Sequence, residues 1–220
     1  MNFRVAVVGT GAIGSYYGGK LAYHGRDVHF LARSGFEEVK RLGIQIRGKN
    51  ESFRLVKIRA YKTTEAIGPC DLVLIALKAT NNDVLPDLIP PLLHETTASL
   101  TLQNGLGNEE FLARHFGAER VAGGLGFICL NRVSPSVIEH FDYGSLTIGK
   151  FTGLPKPRTH NIASEFKRCG VVCAVVENLC ANAGANWFGT FHSMGFQSQL
   201  AEVRHETFCR MIPLDFRHWV

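Results

Sequence analysis

The sequence predicts an α/β domain built on a doubly wound, mainly parallel sheet, and three observations carry that expectation. Short runs rich in Val, Ile and Leu recur at residues 3–8, 27–31, 71–77 and 98–103. Segments with helical spacing separate them, the alternation expected of parallel strands joined by crossover helices. The strand runs are apolar along most of their length, as in sheets covered on both faces.

Each element follows in order. Residues 3–8 (FRVAVV) form the first strand. Glycines 9, 11 and 14 come next, and residues 15–23 take helical spacing, with Gly25 placed to end that helix in a left-handed conformation. Residues 27–31 are a second strand and 36–42 a short helix. Residues 44–46 and 53–58 alternate and predict a small hairpin insertion. Residues 71–77 are the clearest interior strand, ending at Lys78. Pro86, Pro90 and Pro91 interrupt the helix expected over 84–93. A strand over 98–103 ends at Asn104, followed by a helix over 109–116 and a strand over 121–128. Residues 137–141 and 145–148 predict a closing hairpin around Asp142-Tyr143-Gly144. A helix over 162–169 and a strand over 171–176 complete the pattern. Residues 181–220 show neither helical periodicity nor strand alternation, and no internal repeat is present.

Bulk properties narrow the function classes. The 220 residues are 45% hydrophobic and 20% charged, an ordinary globular composition. No apolar run approaches the 18 or so residues that span a bilayer, and no charged-then-apolar leader precedes Phe3, so the expectation is a cytoplasmic protein without a membrane partner. The formal charge is +5, but Lys and Arg are dispersed rather than gathered with aromatics, which argues against nucleic acid and for a mildly basic surface around an anionic ligand. Cys70, Cys129, Cys169, Cys173, Cys180 and Cys209 include no CxxC pair and are expected as free thiols. Oligomeric state is not legible in the sequence.

The chemistry starts at Gly9-Thr10-Gly11-Ala12-Ile13-Gly14. A GxGxxG string alone is weak, but here it leaves a strand and opens a helix, the context that gives it meaning. Gly9 permits the tight turn, Gly11 lets backbone approach a pyrophosphate, and Gly14 allows close helix–strand packing. Free amides and the helix dipole favour an anion there. The expected fold is therefore Rossmann-type. The second strand ends Phe30-Leu31-Ala32-Arg33-Ser34, without the carboxylate that binds a ribose 2′-hydroxyl in NAD sites. Arg33 can pair with a 2′-phosphate and Ser34 can add a hydrogen bond, so NADPH is the expected cofactor. No metal site is expected.

Ligands of open α/β sheets bind beyond the carboxyl ends of the strands. Lys78 and Asn104 end two of them. The ammonium of Lys78 is expected half-buried and in need of a partner; Asn104 begins a flexible Asn-Gly-Leu-Gly-Asn turn.

With these motifs in place, the sequence resembles the ketopantoate reductase (2-dehydropantoate 2-reductase) family. The resemblance rests on VAVVGTGAIGSYYGGKLA, HFLARSG, LVLIALKAT, LTLQNGLGNEE and HFDYGSLTIG, in family order over roughly residues 3–150. It implies NADPH-dependent reduction of a small 2-oxo acid, nominally 2-dehydropantoate, on the route to pantothenate and coenzyme A. It further implies that Gly9 to Gly14 hold the pyrophosphate, Arg33 the 2′-phosphate, Lys78 the ribose or phosphate region, and that Asn104 stands between nicotinamide and substrate. The segments QNGLGN and LARSG argue against a β-hydroxyacid dehydrogenase.

The family also implies a second, all-helical domain with a W-x-K-L motif whose lysine donates a proton to the substrate carbonyl. From Glu177 this sequence reads ENLCANAGANWFGTFHSMGFQSQ, without that motif. Back-translated one frame over, taking the third base of each codon with the first two of the next, residues 179–198 can read L-R-E-R-W-S-K-L-V-W-N-I-P-F-N-G-L-S, with Leu, Val and Gly positions forced. The expected division is thus 1–177 as the NADP-binding domain and 178–220 as an aberrant, frameshifted tail replacing the start of the helical domain; a divergent natural C-terminus is the rival. Trp187, Phe188, Phe191, Phe196 and Phe208 form no apolar face, and His192, His205 and His218 lack metal-ligand spacing. No catalytic residue is then retained. The chain is expected to belong to a reductase yet be inactive as it stands; the alternative is a remnant that only binds NADPH.

Overall fold

The computed structural model describes residues 3–49, 51–177 and 179. Four short, buried strands form the centre of one sheet: β1 (Arg4–Val8), β2 (Asp27–Leu31), then, past a small insertion, β6 (Leu72–Ile75) and β7 (Ala98–Thr101). All pair in parallel. The insertion supplies β3 (Ile44–Gly48), β4 (Phe53–Leu55) and β5 (Arg59–Tyr61). Two long strands, β8 (Val121–Ser134) and β9 (Val137–Lys150), and the last, β10 (Cys173–Val176), complete the sheet. The order is β4-β3-β9-β8-β7-β6-β1-β2-β5, with β10 also on β9. The chain leaves β1 toward β2 and returns on its other side to β6, so the order reverses between β1 and β6.

Helix α1 (Ala12–Tyr23) follows β1, α2 (Phe36–Leu42) follows β2, α3 (Leu85–Leu88) lies between two 3-10 turns after β6, α4 (Asn108–Phe116) follows β7, and α5 (Pro157–Arg168) precedes β10. The expected α/β class and its doubly wound sheet are present. One buried cluster gathers α1, α5 and the ribbon residues on one face; a second gathers Leu85, Ile89, Leu92 and Leu112 on the other. Helix α1 lies closest to the strands because it is made of small residues there: a Cβ on Gly18 would stand 2.6 Å from Val7 Cγ2 and 3.0 Å from Phe30 Cε1. The sheet curls around this helix, which contacts β1, β2, β3, β4, β6, β8 and β9.

Several elements differ from expectation, among them α5, expected over 162–169 and found at Pro157–Arg168 with Pro157 opening its first turn. The hairpin expected around Asp142-Tyr143-Gly144 is a bulge within β9, with Tyr143 at φ 63 and Gly144 at φ 134. The ring N–H at His140 Nε2 donates to the carbonyls of Asp142 (3.2 Å) and Tyr143 (2.9 Å) and holds the bulge. The chain reverses earlier, at Pro135-Ser136, so β8 runs on to Ser134. Strand β5, unforeseen, pairs with β2 over only three residues. Strand β6 stops at Ile75, short of Lys78.

Cys70, Cys129, Cys169 and Cys173 are free thiols. Among the described residues no helix is long and apolar enough to cross a membrane. The expected tail of 178–220, with its aromatic residues and His192, His205 and His218, lies outside the described residues apart from Leu179, which packs over Gly123 and Gly149.

Tyr17, fully buried on α1, donates its hydroxyl to the carbonyl of Ser145 on β9 (2.9 Å). Tyr17→Phe strands that carbonyl while keeping the ring. A loss of about 1 kcal/mol in urea unfolding is expected; unchanged stability would mean the bond does not tie the ribbon to α1.

Candidate functional site

The strand order reverses between β1 and β6, the place where open α/β sheets take ligands beyond the carboxyl ends of their strands, and the glycine turn follows β1 there. Gly9 (φ 110) is pressed against the end of β6: a Cβ there would lie 2.9 Å from Ala76 C and O and Leu77 N. At Gly14 a Cβ would fall 2.0 Å from Gly9 O and 3.1 Å from Val7 Cγ1 and Ala76 Cβ. These two positions exclude side chains for packing reasons. Gly11 is different. A Cβ there would meet only Ala76 O, at 4.0 Å, so it faces open space where a ligand can lie on the backbone.

Gly11 also caps α1, with no side-chain hydrogen bond to the first turn and no acidic residue in it. The amides opening a 12-residue helix are therefore left to an external acceptor, and the macrodipole favours a negative one. The residues fit a pyrophosphate. Thr10 is buried, while Ala12 and Ile13 are half-buried along the same turn.

Arg33 and Ser34 follow β2 directly, one strand from the glycine turn, and both are exposed. Arg33 makes no ion pair among the described residues. Lys78 departs from the sequence reading. It is exposed, in extended backbone, and caps the 3-10 turn over Ala79–Val84, its carbonyl accepting from the Asn81 amide at 2.9 Å. It needs no buried partner, because the contact of Gly9 with Ala76 and Leu77 turns the chain out of the sheet before Lys78 is reached. Asn104 is exposed at the same edge, after β7.

The structure brings Lys78 and Asn104 into one framework through residues the sequence reading passed over. Gln103 Nε2 donates to Asn82 Oδ1 (2.7 Å), Asn82 Nδ2 donates to Asn108 Oδ1 (2.9 Å), and Asn108 Nδ2 donates to the carbonyls of Asn104 (3.2 Å) and Gly105 (3.1 Å). Asn108 is 2% exposed. This amide relay fixes the loop after β6 to the loop after β7, so the backbones bearing Lys78 and Asn104 are held together. The polar run Asn81-Asn82 and Gln103-Asn104 was the only available signal.

Beside it, Glu109 on the first turn of α4 folds over Gly123, its Oε1 lying 2.5 Å from where a Cβ on that glycine would sit. Burial pushes the Glu109 carboxyl above the usual carboxylate range, and neighbouring Glu110 adds to the effect.

A glycine turn at the switch point of a doubly wound sheet defines a Rossmann-type domain. Residues 5–153 match the family described as Ketopantoate reductase PanE/ApbA, and the chain belongs to that family. It is 38% identical to the 2-dehydropantoate 2-reductase of Nostoc sp. over 182 residues, covering 80% of this chain and 57% of that protein. The crystal structure of the 2-dehydropantoate 2-reductase from Geobacter metallireducens superposes with a TM-score of 0.80 at 41% identity, covering 87% of this chain and 62% of that one. A ternary structure of D-mandelate dehydrogenase with NADH and anilino(oxo)acetate shares the fold, with a TM-score of 0.72 at 19% identity over 82% of this chain and 59% of that one. The chain thus spans 57% and 62% of the length of these two reductases.

A carboxyl raised by burial costs the fold stability once it ionises. That stability is full at low pH, where the group is protonated in both states, and is lost as pH climbs from the ordinary carboxylate range through the raised value. Glu109→Gln removes the cost, so its stability advantage over the parent is expected to widen as pH rises above the ordinary carboxylate range in urea titrations. Parallel profiles would contradict the burial of this carboxyl.

Proposed function

We propose that residues 1–177 are the NADP-binding domain of a cytoplasmic oxidoreductase that reduces a small 2-oxo acid, nominally 2-dehydropantoate to pantoate in pantothenate and coenzyme A synthesis. The observation that carries this reading is the pairing of an open, uncapped helix start at Gly11 with a β2 terminus that offers Arg33 and Ser34 and no carboxylate. The amides of residues 12–14 and the dipole of α1 hold the pyrophosphate. Arg33 grips the 2′-phosphate with its planar fork and Ser34 adds a hydrogen bond; a charge-assisted bond of this kind contributes roughly 1.5–3 kcal/mol. That contribution separates NADPH from NADH, the cofactor bound in the D-mandelate dehydrogenase structure.

Lys78, solvent-facing at the end of β6, supplies a mobile positive charge to the ribose or phosphate region. Asn104, whose backbone is anchored by Asn108, presents an amide between nicotinamide and substrate and orients the carbonyl. When bound, the cofactor supplies the hydride. The chain's own residues bind and orient; none described here is placed to protonate the carbonyl oxygen, the step a positioned ammonium performs in general acid catalysis.

Residues 178–220 stand where the family continues into its helical domain, and they lack W-x-K-L. We propose that a shift of reading frame near residues 177–179 produced this segment, and that the 220-residue chain binds NADPH without turning over. Titration by NADPH fluorescence is expected to show saturable binding, and the same protein with ketopantoate to leave NADPH absorbance unchanged. Turnover by this chain would contradict the assignment of residues 178–220, as would a coding sequence whose shifted frame is closed by stops or lacks W-x-K-L. Absence of NADPH binding would overturn the whole reading.

A further inference from the structure

We propose that Arg132, on the distant β8–β9 ribbon, is a second guanidinium of the 2′-phosphate subsite and so a determinant of NADPH over NADH; the proposal rests on the role given to Arg33 above. The ribbon's reversal docks onto the loop that follows β2. Gly35, at φ 76, is the residue before α2, and a Cβ there would lie 2.3 Å from Pro135 Cβ and 2.6 Å from Pro135 Cγ. The next atom it would meet is Arg132 Nη2, at 3.6 Å. Gly35 directly follows Ser34, so Arg132 reaches the short segment that also bears Arg33.

The contact is fastened on both sides. The Glu38 carboxylate accepts from Ser134 Oγ (2.8 Å) and from the Ser136 amide (3.2 Å), and the Gln45 amide donates to the Ser136 carbonyl (2.7 Å). These bonds place the ribbon tip against α2 independently of Arg132. The guanidinium itself is left over. Arg132 pairs across the ribbon with Ile138, whose side chain is fully buried, so it points to the inner face. Its Nε and Nη2 are buried without a hydrogen-bond partner among the described residues.

A buried cationic donor without an acceptor is costly, and such groups are rare in folded proteins unless something else satisfies them. Glu38 is near enough for the Arg132 charge to favour its ionised form, but the first cause of its lowered carboxyl is the Ser134 hydrogen bond, and it makes no ion pair with Arg132. Glu37, the other acid of this turn, is paired to Lys62 at 2.8 Å. The loop therefore offers two guanidinium groups, while Glu37 is paired to Lys62 and Glu38 is held through one carboxylate oxygen by Ser134 and Ser136. An anion with several oxygens, bound where Arg33 and Ser34 are exposed, offers acceptors to the Arg132 guanidinium once that side chain turns outward from its buried position. A ribose 2′-phosphate has that charge and geometry, and a 2′-hydroxyl does not.

The test is calorimetric titration of the 220-residue chain with 2′,5′-ADP and with 5′-AMP, which differ only in the 2′-phosphate. The parent is expected to prefer 2′,5′-ADP. Arg132→Met is expected to weaken 2′,5′-ADP about tenfold or more, the equivalent of one charge-assisted bond, and to leave 5′-AMP within about twofold. Arg132→Lys, which keeps the charge but loses the fork, is expected to fall between them and serves if the Met variant does not fold. Parent-like affinity for 2′,5′-ADP in both variants, or equal losses for the two nucleotides, overturns the role of Arg132. If Arg33→Met abolishes the preference while the Arg132 variants keep it, the proposal for Arg132 alone fails. A parent that does not distinguish the nucleotides overturns the NADP assignment and this proposal with it.

Discussion

The structure depends on the contact between the backbone of α1 and the strands beneath it. Gly9, Gly14 and Gly18 are spaced so that the turn lies on the end of β6 and the helix lies on Val7 and Phe30 with no side chain between. Dispersion and burial reward such close approach only where nothing protrudes. This seating is what aims the start of α1 at the gap between β1 and β6. The proposed anion site is then a by-product of packing: amides that cannot be satisfied within the helix emerge where the sheet order reverses. Gly11 is the one glycine of the turn whose missing side chain would enter open space and not the packed interface.

Around that turn the proposed site has borders of different origin. On one side the relay Gln103–Asn82–Asn108 ties two strand-end loops into a single rim, so that Lys78 and Asn104 share a reference frame despite being solvent-exposed. On the other, the long ribbon turns back to meet α2, and the Glu38 contacts with Ser134 and Ser136 fasten it there. The sheet thus curls until its late strands touch the loop after its second strand. A cofactor lying from the glycine turn to Arg33 would be bordered by segments more than 90 residues apart in sequence, as the spacing of Glu38 and Ser136 illustrates.

Much of this was legible beforehand, for identifiable reasons. The strands β1 and β6 are nearly continuous apolar runs because both faces are covered, β2 and β7 carry buried polar residues among the apolar ones, and the GxGxxG spacing follows from steric demands that recur wherever a helix must sit this close. The bounds of β2 and α2 agree with expectation to the residue. Lys78 misled because Ala76 and Leu77 prolong the apolar run, while the backbone of Gly9, remote in sequence, forces the chain outward there. Asp142-Tyr143-Gly144 carried the composition of a tight turn, yet Pro135-Ser136 takes the reversal and His140 stabilises the remaining kink as a bulge. The amide relay joins residues 21 and 26 positions apart, and the orphaned guanidinium of Arg132 exists only once the ribbon has folded back. Neither leaves a periodic trace. Both belong to tertiary structure.

The central claim is that the backbone at Gly11 is the seat of the cofactor's pyrophosphate. The most direct measurement is the NADPH affinity of Gly11→Val beside its thermal unfolding. Because the added side chain enters open space and not the packed interface, the variant is expected to unfold near the parent temperature while losing roughly a hundredfold in affinity, the worth of about two charge-assisted bonds. A variant that folds and binds NADPH as the parent does would contradict the account.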